Sequence, residues 1–82
     1  MTVLDIIEPR YRDNTVLLAR YKLPAGQDIM VAIRKGAYKG LYKVTNETIC
    51  RSAIETIKSR SGRPIQMRAV SLDAMERIED GE

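Results

Sequence analysis

The spacing of the apolar residues changes at Thr45-Asn46, and this change constrains the fold more than any other feature of the sequence. Before it, apolar and polar residues alternate with a period of two, which is typical of half-buried strands. After it, Ile49, Ala53 and Ile57 recur at the spacing of one helix face. The sequence therefore predicts a strand-rich first half followed by a helix over residues 46–61.

The residues around that segment also favour a helix. Asn46 is a good N-cap, and Glu47 lies four residues before Arg51, which is a favourable spacing for an ion pair on a helix surface. Gly62 suits the left-handed position after a helix, and Pro64 cannot continue one. We expect the helix to end near residue 61 for these two reasons.

The other predicted elements are strands at 2–8, 15–23, 29–34, 41–44 and 65–69, and a short second helix at 71–78. Residues 15–34 are predicted to form a β-hairpin, and residues 23–26 fit a type I turn. Short links between early strands favour antiparallel pairing. The expected fold class is α+β, a small antiparallel β-sheet of four to five strands, open or partly barrel-like, packed by one main helix and followed by a short C-terminal helix. Residues 1–82 are expected to form a single small domain.

The residue types that the chain lacks exclude common catalytic and metal chemistry. The 82 residues include no His, Phe or Trp and one cysteine. A Cys/His zinc site and a Ser-His or Cys-His nucleophile pair both lack their ligands or base. We therefore expect no enzyme activity, no catalytic residue, no metal, no cofactor and no small-molecule substrate. Cys50, beside the stripe of the predicted helix, is expected to be a small buried hydrophobe.

The basic body of the chain favours an anionic partner, and the acidic tail either screens that basic surface or aids solubility. Residues 1–68 hold 13 Lys and Arg against 6 Asp and Glu, a balance of +7, and residues 69–82 hold 1 against 5, a balance of −4.

The chain begins without a basic or apolar leader pattern and has no run of membrane-spanning length. A cytoplasmic location without a membrane partner is expected.

Each tyrosine of the chain is followed directly by Lys or Arg. Cations that meet phosphates and rings that stack on unpaired bases make a surface for single-stranded nucleic acid. The same pairs also occur on the ordinary exposed surface of a strand or hairpin, and this alternative stays open. The candidate nucleic-acid-binding residues are Arg10, Arg12, Tyr21, Lys22, Arg34, Lys35, Tyr38, Lys39, Tyr42 and Lys43.

Residues 31–43 resemble the KOW motif of small SH3-like barrels in ribosomal and transcription factors. The pieces that carry the likeness are Val31, Ile33, Gly36, Tyr38 and Lys39-Gly40-Leu41. The motif has a further glycine where this chain has Lys43, and the helical second half predicted here has no place in it. The resemblance implies contact with RNA and does not assign the chain to the family.

Two functions follow as hypotheses. The first is a non-enzymatic protein-interaction or regulatory module, which recognises a protein partner or a second copy of itself through exposed strand edges and an Ile/Met surface, while its basic residues steer an acidic partner. The alternative is an accessory nucleic-acid-binding protein that uses the basic Tyr/Lys/Arg surface.

Overall fold

Two β-sheets organise the part of the chain that the computed structural model describes, residues 2–6 and 14–79. Within these residues the elements are β1 (Thr2–Ile6), β2 (Thr15–Ala19), β3 (Ile29–Ile33), β4 (Gly40–Val44), α1 (Asn46–Arg51), β5 (Ala53–Lys58), β6 (Pro64–Ser71) and β7 (Glu76–Glu79). Two 3-10 turns, Arg20–Lys22 and Leu72–Ala74, follow β2 and β6.

The first sheet has the strand order β1-β3-β4-β7, and the second has the order β2-β6-β5. β3 and β4 form an antiparallel hairpin in which Val31 lies opposite Tyr42. β1 runs parallel to β3, with Leu4 opposite Val31, so the expectation of a purely antiparallel sheet was wrong. The second sheet is antiparallel throughout.

The core lies where the inner faces of the two sheets meet. Its buried members are aliphatic apart from one tyrosine: Val16, Leu18, Ile29, Val31, Ile33, Tyr42, Val44, Ile49, Val70, Leu72 and Met75. Leu4 and Ile6 of β1 pack against its margin. Close-packed aliphatic side chains of this kind supply most of the stability of a small domain.

The expected α+β class was wrong, because the main helix has only six residues. α1 ends at Arg51, Ser52 is extended, and β5 follows at once. β5 pairs with β6 over its whole length, from Ala53 opposite Ala69 to Lys58 opposite Pro64. Tertiary pairing therefore overrides the local helical spacing, aided by β-branched residues that favour strands.

Gly62, predicted to terminate the helix, instead closes the β5–β6 hairpin. Its φ is 85°, and its N–H donates to the carbonyl of Ser59 over 3.0 Å. The N–H of Ser59 in turn donates to the carbonyl of Arg63, also over 3.0 Å. A left-handed glycine at the end of a three-residue loop is a common way to join two antiparallel strands.

The C-terminal helix predicted at 71–78 is also absent from the described residues. The Ser71 hydroxyl accepts from the N–H of Asp73 over 3.2 Å, which caps the 3-10 turn Leu72–Ala74. The chain then becomes extended as β7 and pairs with β4. The Ser71 cap could begin either a helix or a single turn. The chain becomes a strand after this turn because residues 76–79 pair with β4.

The hairpin predicted at 15–34 does not form, since β2 and β3 belong to different sheets. β2 pairs with β6 and is buried on both faces, at Val16, Leu17 and Leu18. It also ends at Ala19, where the 3-10 turn begins, rather than at residue 23. The strand predicted at 2–8 is confirmed over Thr2–Ile6, and its remainder lies outside the described residues.

Details around α1 divide between confirmed and corrected predictions. The ion pair between Glu47 and Arg51 is confirmed, with 2.8 Å between its charged atoms. The N-cap is Thr45 rather than Asn46, because the Thr45 hydroxyl accepts from the N–H of Thr48 over 3.2 Å. Cys50 is exposed, not buried, because the short helix turns it to solvent.

Candidate functional site

Three of the candidate cations lie on the connection between β3 and β4. Arg34, Lys35 and Lys39 are all exposed there. Gly36 has a φ of 93°, and its carbonyl accepts from the N–H of Lys39 over 3.3 Å, which folds the connection into a tight turn. The structure therefore brings these three cations to one end of the first sheet.

The charge of Arg34 is partly neutralised by Asp5 of the neighbouring strand β1. Its Nε lies 2.7 Å from Oδ1 of Asp5 in β1, and the two side chains remain 64% and 63% exposed. An exposed pair of this kind contributes about 0–1 kcal/mol to stability. Its main consequence is electrostatic, because a carboxylate stands beside one of the three cations.

Tyr42 is a structural residue rather than a surface ring. It is 4% exposed, and its hydroxyl donates to the carbonyl of Tyr38 over 2.7 Å. The guanidinium of Arg77 lies 5.6 Å from the centroid of the Tyr42 ring and donates to the carbonyl of Lys39 over 3.0 Å. Tyr42 is thus held by hydrogen bonding and a cation–π contact, and its ring is not accessible to a base.

Sequence reasoning missed Arg77. It lies in β7, within the segment predicted as a helix, and pairing with β4 brings it beside Tyr42 and the connection between β3 and β4. The four residues of β7 carry no period-two alternation that would have revealed the strand. Arg77 adds a fourth cation at this end of the sheet.

Tyr21 and Lys22 lie in a different place, on the 3-10 turn after β2. Tyr21 is 74% exposed, and Nζ of Lys22 is 5.8 Å from the centroid of its ring. Both residues line a groove of about 570 Å³ between β1, β2 and the β5–β6 hairpin, and its surface mixes apolar and polar atoms. Asp5 lines the same groove, and its ion pair with Arg34 joins the groove to the cations between β3 and β4.

The remaining candidates are not gathered with these groups. Lys43 points to the opposite face of β4 from Tyr42 and is flanked across the sheet by Met30 and Glu76. Arg10 and Arg12 lie outside the described residues. The candidate site thus divides into a cationic hairpin end, an exposed tyrosine beside a groove, and a lysine on the outer sheet face.

A second kind of site is the outer edge of β5, which sequence reasoning also missed because it predicted a helix there. β5 is an edge strand of the second sheet, and all its residues except Glu55 are exposed. Ile54 is 46% exposed and Ile57 is 37% exposed. Its pairing with β6 is regular over six residues, without a bulge. A flat, exposed, partly apolar edge is a template for another strand.

No protein-family model, curated protein or solved structure matches this chain. No helix in residues 2–6 and 14–79 is long and apolar enough to cross a membrane. The function therefore has to be inferred from the cationic connection between β3 and β4 with Tyr21, and from the outer edge of β5.

Proposed function

We propose that this protein is a non-enzymatic protein-interaction module that binds its partner by adding a strand to the outer edge of β5. The observation that carries the proposal is the regular, exposed β5 edge: within the described residues, the backbone groups on its outer side have no hydrogen-bond partner. Addition of a strand would satisfy those groups directly.

The hairpin geometry identifies which groups point outward. The N–H of Ser59 bonds to the carbonyl of Arg63, so these two residues form a hydrogen-bonded pair. Hydrogen-bonded and non-hydrogen-bonded pairs alternate along an antiparallel ladder. The register then directs the odd-numbered residues of β5 toward β6 and leaves Ile54, Thr56 and Lys58 with outward N–H and C=O groups.

The other edge strands are less suited to accept a partner. β7 is short, carries Glu76, and has an irregular register with β4, where Ile78 is the extra residue. β2 is buried at its three central residues, and β1 carries the charged Asp5, which is paired with Arg34. Bulges, charges and cover are the features that protect sheet edges; β5 carries two charged side chains, Glu55 and Lys58, but its register with β6 is regular.

The side chains beside this edge favour an apolar partner strand. Ile57 of β5 lies on the same sheet face as Ile65 and Met67 of β6, and these three residues line the groove. An added strand would extend that face and cover part of Ile57. Burial of apolar area contributes roughly 25 cal/mol per Å² and would supplement the backbone hydrogen bonds.

Selection of displayed peptides tests the proposal, with the full chain immobilised sparsely enough to remain monomeric. Thr56→Pro removes one outward N–H without breaking a bond to β6, and proline is tolerated on edge strands. Thr56→Val is the matched control, because it keeps the N–H. Selected extended peptides should bind the wild type and Thr56→Val, and should lose binding to folded Thr56→Pro. Equal binding to all three would refute strand addition at β5.

Nucleic-acid binding remains a second candidate, favoured by the cations at the connection between β3 and β4 and by exposed Tyr21. Fluorescence anisotropy with a labelled single-stranded oligonucleotide tests it. If Lys35 and Lys39 hold phosphates, Lys35→Glu with Lys39→Glu should weaken binding at low salt and lower the salt slope by about two units. Lys58→Glu with Arg63→Glu makes the same change of charge at the β5–β6 hairpin and should weaken binding less. Equal weakening by the two double variants would show only non-specific attraction to the positive chain and no site at Lys35 and Lys39.

A cytoplasmic location belongs to the same proposal. Cys50 is exposed and free, and a thiol of this kind persists most readily in a reducing compartment. Alkylation of the thiol in intact cells would show whether it is reduced there.

A further inference from the structure

We infer that the strand that pairs with β5 is β5 of a second copy, related by a twofold axis that passes beside Thr56. This inference rests on the proposed function and names its partner. It would join two three-stranded sheets into one continuous antiparallel sheet.

A twofold interface requires the edge to complement itself. An axis normal to the sheet keeps each sheet face on its own side and makes the two copies of β5 antiparallel. Outward-pointing residues must also meet outward-pointing residues, since only they can exchange hydrogen bonds. Ile54, Thr56 and Lys58 of one copy therefore have to lie opposite members of the same set in the other copy.

Three registers near the middle of the strand satisfy these conditions. One places Glu55 opposite Glu55 of the second copy in a close non-hydrogen-bonded pair, where like charges are destabilising. A second centres the pair on Ile57 and leaves the outward groups of Ile54 beyond the partner strand. The third centres the pair on Thr56 and places Ile54 opposite Lys58 in both directions.

The register centred on Thr56 is the most favourable of the three. All three outward N–H and all three outward C=O groups of each copy find a partner in it. No like charges lie directly opposite each other, because Glu55 faces Ile57 and Lys58 faces Ile54. Two Thr56 side chains meet at the axis, and threonine pairs are favourable across strands.

The dimer is expected to be weak. Two edges of six residues bury less than a standard interface of roughly 1,600 Å². We therefore expect a dissociation constant on the order of tens of micromolar. Each chain carries a net charge of +3, so added salt should preserve or strengthen the dimer. Salt dependence thus separates self-pairing from nucleic-acid binding, which salt weakens.

Disulfide trapping tests the register. In a Cys50→Ser background, single cysteines are placed by Glu55→Cys, Thr56→Cys and Ile57→Cys, and oxidation by diamide is followed on a non-reducing gel. Opposite residues of a hydrogen-bonded pair have Cα atoms about 5.5 Å apart, which a disulfide can bridge. In the proposed register, residue 55 of one copy lies diagonally across from residue 55 of the other, and the same holds for residue 57, with separations of about 7–8 Å. Thr56→Cys should therefore cross-link fastest. Fastest cross-linking of Glu55→Cys or Ile57→Cys, or equal rates for all three, would overturn this register.

Sedimentation equilibrium tests the partner itself, from low micromolar to near-millimolar protein. Thr56→Val keeps the N–H and loses only the side-chain pair at the axis, so its dissociation constant should stay within about fivefold of the wild-type value. Folded Thr56→Pro removes both backbone hydrogen bonds at the axis and should dimerise at least roughly tenfold more weakly. A wild-type chain that stays monomeric throughout would refute self-pairing. If selected peptides still lose binding to Thr56→Pro in that case, strand addition at β5 stands and the partner is another protein. If both experiments fail, strand addition and self-pairing are both refuted.

Discussion

Replacement of Tyr42 by Phe isolates the hydrogen bond that ties β4 to its own hairpin. The ring of Tyr42 is 4% exposed, and its hydroxyl donates to the carbonyl of Tyr38 over 2.7 Å. Tyr42→Phe keeps the buried ring and its contact with Arg77, and removes one donor. The carbonyl of Tyr38 is then left without the donor that the hydroxyl supplied.

The expected loss follows from the chemistry of that bond. A hydrogen bond of this type contributes about 0.5–1.5 kcal/mol net, and the loss approaches the upper value when the remaining partner stays away from water. We expect the free energy of unfolding to fall by about 1 kcal/mol, which lowers the melting temperature of a domain this small by about 4–8 °C. Tyr42→Ala, which also empties the site of the ring, should cost about 3–5 kcal/mol.

Urea unfolding followed by circular dichroism measures these changes. Tyr21→Phe is the matched control, because it removes the same atom from a ring that is 74% exposed. It should leave the free energy of unfolding within about 0.5 kcal/mol of the wild-type value. Equal stability of the two phenylalanine variants would refute the structural role given to Tyr42.

Two further predictions concern the segments where the fold departs from the helix expected at 46–61. Thr45→Ala should lower the free energy of unfolding by about 1 kcal/mol, because it removes the N-cap of α1. Asn46→Ala should lower it less in the same urea titration, because Asn46 is not the cap. The reverse order would identify Asn46 as the cap. Gly62→Ala should cost about 1–2 kcal/mol, because the φ of 85° is unfavourable for alanine although its added methyl group would meet no atom within 4 Å. An unchanged midpoint for Gly62→Ala would show that the hairpin turn adopts another conformation.

The sequence predicted most of the first half because alternation is a local signal. β1, β3 and β4 lie within or close to their predicted ranges, and the inner face of β3 is the alternating set predicted for it, Ile29, Val31 and Ile33. Which strands pair was not predictable in the same way. The parallel pairing of β1 with β3 and the transfer of β2 to the second sheet depend on contacts between distant residues, which no local pattern encodes.

The candidate site was predicted only in part, for a related reason. Arg34, Lys35 and Lys39 are exposed on a hairpin turn, as their glycine-rich surroundings indicated. Tyr42 has the same Tyr-Lys pattern as Tyr21, yet it is buried, because strand alternation directs it to the core. A dipeptide pattern cannot distinguish an inward from an outward strand position without the register.

β5 illustrates why the largest error concerns the segment that also carries the proposed interface. Ile54 and Ile57 are three residues apart, so they share a face in a helix, but in β5 they lie on opposite faces of an exposed edge. A strand in this position gains its bonds to β6 and leaves both side chains partly in water. A place where a structure departs from local sequence rules is a candidate for a functional or strained site. A second β5 strand would cover part of both isoleucines and satisfy the outward groups of Ile54, Thr56 and Lys58, which would add to the stabilisation that this strand gains from pairing with β6.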